Sequence, residues 1–407
     1  APAVLAPLDL SAGVAPSPAG VQAAIGRLVR RGLDNGAAVV VDPATGDVLL
    51  DVHGDVPHIP ASTAKLATSL AALTVLGGQT RLPTIASRDG STLYLIGGGD
   101  PTLVRSGGGN PLAGGRPSLK DLARQTAQSL GRGASVALVY DDSAFQGRTL
   151  GPGWPASFPA AGVVAPVTAL VVDNGRVRPG SLSRVADPAR QAATAFASLL
   201  SSRDITVTGV TRGVAPASAT EVARVESAPV ADIVMTMLTD SENNYAEALS
   251  HLVGGKAAGD PTFSGGAAAT KAAVVRAGID ASGMTLVDGS GLSRRNRLPA
   301  RLLADVLVRV ARGADPALTP IAQGLAVAGF TGTLAERFQT PQTAPGRGVV
   351  HAKTGTLTGD VALAGTVLDA DGRLLVFAMI DDRVRSLATV RDTMDRIASR
   401  LATCGCT

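Results

Sequence analysis

The strand signals of this chain lie at its two ends. Residues 37–52 read strand, turn, strand: AAVVV, the turn-formers Asp42-Pro43-Ala44-Thr45-Gly46-Asp47, then VLLDV. Residues 349–356, 361–369 and 373–380 read as three further strands, the last two joined by Asp369-Ala370-Asp371-Gly372. An amphipathic helix follows over about 386–402. Helical patterning occupies much of the interval, notably the Ala-rich 62–76, preceded by Pro60 and stopped by Gly77-Gly78, and the apolar 230–253. Strands at both ends with helices between imply one sheet assembled from N- and C-terminal segments. The expected class is α+β.

A different pattern interrupts the helices. Between about 83 and 184, glycine clusters (Gly97-Gly98-Gly99 and Gly107-Gly108-Gly109) alternate with the strand-like TLYLIGG and SVALVYD, and the one Trp lies here. This reads as an inserted domain. A helix over about 188–203 then leads to an extended segment at 205–210. The expected organisation is an N-terminal arm, 1–20, a main domain built from 21–83 and 185–407, and an insertion, 84–184. No internal repeat or heptad array is present.

At 407 residues with 45% apolar and 17% charged content, the chain is globular and long enough for two or three domains. A net charge of +4 without a basic cluster argues against nucleic acid as a partner. No stretch reaches the roughly 18 apolar residues of a membrane span. The opening Ala1-Pro2-Ala3-Val4-Leu5-Ala6-Pro7 lacks Met and a basic n-region, and is expected to be a mature terminus whose export signal or anchor has been removed. Cys404 and Cys406 flank Gly405; a small disulfide in an oxidising compartment is expected.

Lysine is scarce, five residues against thirty-two arginines. Where only positive charge is wanted, this composition uses Arg; an amine that must lose its proton cannot be replaced by guanidinium. Two of the five lysines sit in short motifs: Ser62-Thr63-Ala64-Lys65 and Lys353-Thr354-Gly355. Three apart on a helix, Ser62 and Lys65 share a face, and unsatisfied N–H groups of the first turn favour developing negative charge at the serine. Lys65 serves as base if burial and a second cation, Lys353, lower its proton affinity. Between them lies Ser241-Glu242-Asn243, on an expected helix–helix turn, where a hydroxyl can relay a proton and an amide can hold a peptide. On the strand, alternation puts Lys353 and Gly355 on one face and Thr354 and Thr356 on the other. Gly355 would let a substrate backbone lie against the strand, and the N–H groups of Ser62 and Thr356 would form an oxyanion hole. Taken singly, each motif has a plain structural reading: a surface pair on a helix, a helix cap, an edge strand. His53, His58, His251 and His351 show no metal-ligand spacing, and no G-x-S-x-G elbow occurs.

The order and setting of the three motifs resemble the penicillin-recognising serine enzymes. Gly97-Gly98-Gly99-Asp100-Pro101-Thr102-Leu103, Ser241-Glu242-Asn243-Asn244-Tyr245-Ala246-Glu247, Asp288-Gly289-Ser290-Gly291-Leu292-Ser293-Arg294 and Ala352-Lys353-Thr354-Gly355-Thr356-Leu357 look like blocks of D-Ala-D-Ala carboxypeptidases/endopeptidases of the class C, penicillin-binding-protein-4 type. The resemblance spans about residues 37–382. It implies an α+β penicillin-binding/β-lactamase-like domain, an antiparallel sheet flanked by helices, with an inserted accessory domain. Glu242 stands where the family more often has Asp.

The resemblance further implies an exported serine-type D-alanyl-D-alanine carboxypeptidase acting on peptidoglycan stem peptides, with D,D-endopeptidase activity as a second reaction. No cofactor and no metal are expected. It makes Ser62 the acylated nucleophile and Lys65 the base. Ser241 is the relay, Asn243 holds the peptide, and Lys353 is the cation that keeps Lys65 neutral. Thr354, Gly355 and Thr356 belong to the substrate strand, Thr354 and Thr356 holding the terminal carboxylate. Leu292 and Arg294 are expected to border the substrate side chain. Asp141 and Asp142 are candidates for meeting an amine on the stem peptide, with a turn after a strand as the plainer reading. β-Lactam antibiotics are expected to acylate Ser62. The rival readings are a β-lactamase or esterase on the same fold, and a non-catalytic cell-wall-binding scaffold.

Overall fold

The computed structural model describes residues 10–33, 35–107 and 115–406. Helix α1 (Pro18–Gly32) starts where the Ser17 hydroxyl accepts from Gly20 N at 2.9 Å, with Pro18 in the first turn. The expected arm is therefore already helical at its end; residues 1–9 of it lie outside the described residues. Strands β1 (Ala37–Val41) and β2 (Val48–Val52) form the expected hairpin. After β3 (Pro57–His58), a 3-10 turn (Ala61–Ala64) runs into α2 (Lys65–Ala71), every residue of which is buried.

A second sheet follows, from β4 (Pro83–Asp89), β5 (Thr92–Gly97), α3 (Leu119–Leu130), β6 (Ser135–Asp141), α4 (Pro188–Ser201), β7 (Thr206–Arg212) and β8 (Thr220–Glu226). Its order is β7-β6-β5-β4-β8. The β5–β6 and β6–β7 pairs are parallel, so each needs a crossover, which α3 and α4 supply. Leu93, Leu95, Leu122 and Phe196 lie in the core beneath it. The expected boundary at 184 is thus corrected: α4, β7 and β8 complete this sheet and carry it to Glu226. Of the second glycine cluster, Gly108 and Gly109 lie outside the described residues.

The chain then returns to helices α5 (Val230–Thr239), α6 (Asn243–Ala258) and α7 (Phe263–Arg276), the short β9 (Leu298–Pro299), α8 (Ala300–Ala311) and α9 (Thr319–Gly324). It ends in β10 (Ala326–Val327), β11 (Val350–Leu357), β12 (Asp360–Leu368), β13 (Leu374–Asp382) and α10 (Leu387–Ala402), capped by Ser386. The main sheet has the order β10-β11-β12-β13-β1-β2, joining the two ends of the chain as expected. Helices cover both faces. Val39, Val41, Ala364 and Ile380 pack toward α2, α6 and α8, whereas Val40, Leu363, Phe377 and Met379 pack toward α1 and α10. Burial on both faces is why β1 reads as an unbroken apolar run. Arg373 clamps the seam, its Nη2 donating to the buried Asp42 Oδ2 at 2.7 Å. Cys404 and Cys406 are disulfide-bonded to each other. Among the described residues no helix is long and apolar enough to cross a membrane.

Gly355 marks where sheet and helical half meet. A Cβ there would lie 2.7 Å from Pro60 O and 3.1 Å from Ala362 Cβ. The glycine faces the segment leading to Ser62, so its missing Cβ makes room for that turn. Gly355→Ala is expected to destabilise the fold by about 1–3 kcal/mol through this overpacking. Denaturant unfolding checks the loss, and a slowed acylation of Ser62 checks that the turn has moved.

Candidate active site

The site forms where the start of α2, the α5–α6 turn and the edge of β11 converge. A cleft of about 650 Å³ is lined by Ser62, Ser241, Asn243, Leu292, Thr354 and Thr356 among the expected residues. Lys65 and Lys353 lie beneath it, both fully buried. Beyond Ala352, β11 has no strand partner on the β10 side among the described residues, so the K-T-G edge is left to the cleft. Two non-glycine residues here hold left-handed backbone: Ala61 (φ 46), just before the serine, and Ser241 (φ 60). Such conformations cost free energy and persist where surrounding contacts impose them.

Lys65 Nζ is 2.9 Å from Ser62 Oγ, 2.8 Å from Asn243 Oδ1 and 2.8 Å from Ser290 O. The two carbonyl oxygens can only accept, and a neutral amine has two N–H groups to give them. In that neutral form the remaining tetrahedral position, which faces the Ser62 hydroxyl, is the lone pair. That is the geometry of a general base taking the serine proton. Burial pushes the Lys65 amine down to about 8, against the opposing pull of Glu247, Asp288 and Glu242.

Burial, then the neighbouring Lys65 and Arg337, lower Lys353 well below an ordinary lysine, with Asp240 opposing. Lys353 Nζ donates to Thr354 O at 3.0 Å. Charge on Lys65 thus discourages charge on Lys353. The expectation that Lys353 simply keeps its proton is opposed by its own burial.

The floor of the site is set by residues that the motifs do not mark. Glu247, one turn after Asn243 on α6, accepts from Gly289 N at 3.0 Å and Ser290 N at 2.8 Å, and so aims the Ser290 carbonyl at Lys65. Burial and nearby Asp288 raise Glu247 to about 8. Asp288 accepts from Gly291 N, Ser293 N, Asn296 Nδ2 and Trp154 Nε1 at 2.6–2.9 Å, which knots the 288–296 loop. The available signals were the place of these residues in the 241–247 and 288–294 blocks and a carboxylate inside the apolar Tyr245-Ala246-Glu247-Ala248-Leu249 run. The rest of the cleft is brought by distant segments: Phe158 and Val163 from the insertion, Thr333, Arg337 and Arg391 from beside β11. Asn243 Nδ2 donates to Val163 O at 2.9 Å, and Thr333 Oγ1 accepts from Thr354 Oγ1 at 2.8 Å. Arg337 is fixed by two hydrogen bonds to Asp395, at 3.1 and 2.5 Å.

Arg294 is not among the residues lining the cleft. Its guanidinium donates to Thr358 O at 2.6 Å and pairs with the buried Asp360 at 2.7 Å, because a carboxylate buried at the β11–β12 turn requires a counter-charge. Asp141 and Asp142 are likewise engaged elsewhere. Asp141 accepts from Ser143 N and Ala215 N, and Asp142 pairs with Arg212 at 3.5 Å. Among the described residues no cluster of His, Cys, Asp and Glu suits a metal ion.

A serine whose hydroxyl meets a buried lysine amine, between a helical half and the open edge of an antiparallel sheet, defines the penicillin-recognising serine enzymes. Within them, the D-Ala-D-Ala carboxypeptidase 3 (S13) family matches residues 27–183 and 178–403, and the chain belongs to that family. It is a serine-type D-Ala-D-Ala carboxypeptidase. A carboxypeptidase of Mycobacterium tuberculosis, Rv3627c, is 38% identical over 404 residues, covering 96% of this chain and 86% of that protein. Carboxypeptidase DacB of Mycolicibacterium smegmatis is 36% identical over 412 residues, covering 98% and 87%. The crystal structure of penicillin binding protein 4 from Haemophilus influenzae shares the fold, with a TM-score of 0.78 at 22% identity, over 94% of this chain and 99% of that one.

A base must be neutral to act, so kcat/KM should rise with pH as Lys65 loses its proton, half-maximal near about 8. Glu247, itself raised to about 8, carries its negative charge only toward the upper end of this limb, so Glu247→Gln should move the limb down slightly, with a lower plateau because Ser290 loses its alignment. A pH–rate profile on a short D-Ala-D-Ala peptide checks both; an unmoved limb would show that Glu247 has no electrostatic reach to Lys65.

Proposed function

We propose that the enzyme is exported and removes the terminal D-alanine from peptidoglycan stem peptides through an acyl-enzyme on Ser62. Lys65 takes the proton of Ser62 Oγ as that oxygen attacks the carbonyl between the two D-alanines. The N–H groups of Ser62 and Thr356 receive the developing oxyanion. Ser241 passes a proton to the departing amine, Asn243 holds the peptide, and water then attacks the ester and regenerates Ser62. Lys353 sets the field at Lys65, and Leu292 packs against the substrate side chain. Thr354 and Thr356, with Arg337 and Arg391 beside them, hold the terminal carboxylate. The D,D-cross-link presents the same bond, so its cleavage is the second reaction of this site.

The observation that carries this reading is the 2.9 Å approach of the buried Lys65 amine to Ser62 Oγ, with both other amine positions taken by carbonyl acceptors. A β-lactam offers a strained amide in place of the scissile one. Mass spectrometry should find one covalent penicillin per chain, absent from Ser62→Ala; an adduct that survives that substitution would falsify the assignment.

Arg337→Ala should lower kcat/KM about tenfold on a peptide with a free terminal carboxylate, the worth of one charge-assisted hydrogen bond. It should also shrink the preference for that peptide over its terminal amide. The ratio of the two kcat/KM values is the readout, and an unchanged ratio removes Arg337 from carboxylate recognition.

A further inference from the structure

A second cavity, about 1100 Å³, lies behind the catalytic turn. The α5–α6 turn is the wall between the two spaces: Ser241 and Asn243 line the cleft, while Asp240 and Glu242 line this basin. The opposite wall comes from the insertion and α4. There Asp173, Asn174 and Gly175 all hold left-handed backbone (φ 52, 55 and 66), two of them without the freedom of glycine. Asn174 is 8% exposed; its Nδ2 reaches Glu242 Oε2 at 3.5 Å, but its Oδ1 has no hydrogen-bond partner. Gln191 repeats the pattern, Nε2 donating to Arg176 O at 2.7 Å and Oε1 unpartnered. Buried acceptors left without donors are uncommon and call for a ligand or an ordered water.

The charges are divided in the same way. Arg178 and Arg190 lie on the basin with no ion pair among the described residues. Asp187, nearby, is already committed to capping α4 and to Arg212. The basin thus carries the guanidinium groups of Arg178 and Arg190, with the Asp173 carboxylate, on one wall and the carboxylates of Asp240 and Glu242 on the other. A peptide carrying free carboxylates and an amine matches both walls. An uncharged glycan matches neither.

We infer that this basin is a second peptide-recognition site, which takes the stem peptide joined to the one being cleaved. It adds to the proposed reading of the catalytic cleft and rests on it. The site would favour cross-linked substrates over isolated peptides, and its occupant would touch the residues on either side of Ser241.

The test uses the full chain and its Arg178→Ala/Arg190→Ala variant, whose changes are exposed. On a defined cross-linked tetrapeptide dimer, kcat/KM should fall about tenfold in the variant, while a short acyl-D-Ala-D-Ala peptide is cleaved as before. An unchanged dimer rate, or an equal fall on both substrates, overturns the inference. Failure of the wild type to release D-alanine from the short peptide would instead sink the reading of the cleft. An independent arm is equilibrium binding of a fluorescent stem tripeptide, which lacks the D-Ala pair, in the Ser62→Ala background. Binding should be lost in the double variant; equal binding, or displacement by a chitin oligosaccharide, overturns the proposal.

Discussion

A lysine amine cannot be buried unless its hydrogens and lone pair all find partners, and Lys65 is completely buried. Ser62 is its neighbour on one turn, but Asn243 and Ser290 lie 178 and 225 residues away. Start of α2, start of α6 and the 288–296 loop must therefore meet before the site exists. Much of the local architecture serves that meeting. Glu247 and Asp288 gather the backbone N–H groups of the loop, Ala61 and Ser241 accept left-handed backbone, and Gly355 lets the sheet approach Pro60. The same burial lowers the proton affinity of the amine, so a feature costly to stability also suits that amine to act as a base.

The sheet supplies the other half of the site and is closed by the two ends of the chain. β1 pairs with β13 along its whole length, and the buried Arg373–Asp42 pair locks the seam. β10 covers only the first residues of β11, which among the described residues leaves the edge from Lys353 onward without a strand partner. An open edge would invite aggregation were it long and exposed; here it is short and faces a cleft. The insertion completes the enclosure by bringing Phe158 and Val163 to the cleft lined by Ser62, Ser241 and Asn243.

Much of this was legible in the chain. Apolar runs bounded by turn-formers located β1, β2, β11, β12 and β13 to within two residues at each end, because each strand is long and strongly patterned. The helix after Pro60 and the final helix from Ser386 were marked by their own caps and breakers. The boundary at 184 was not legible. β7 and β8 are half-exposed and polar, so nothing local says which sheet will pair with them. Arg294 lay in a block that borders the site, but whether it faces substrate or Asp360 depends on a turn formed 66 residues later. Glu247 gave a weak signal for the same reason: its partners are backbone N–H groups of a distant loop.

The sequence by itself determined the α+β class, the joining of the chain ends, the three motifs and hence the acyl-transfer chemistry. These follow from periodicity, turn residues and side-chain reactivity, which are local properties. Tertiary structure alone decided that the Lys65 amine meets Ser62 Oγ, that Gly355 faces Pro60 and Arg294 pairs with Asp360, and that the insertion runs to Glu226. It also decided that a second, arginine-bearing basin shares the Ser241 turn. Each of these depends on burial and on contacts between residues far apart in the chain, and burial sets both proton affinity and hydrogen-bond direction only once the chain has closed.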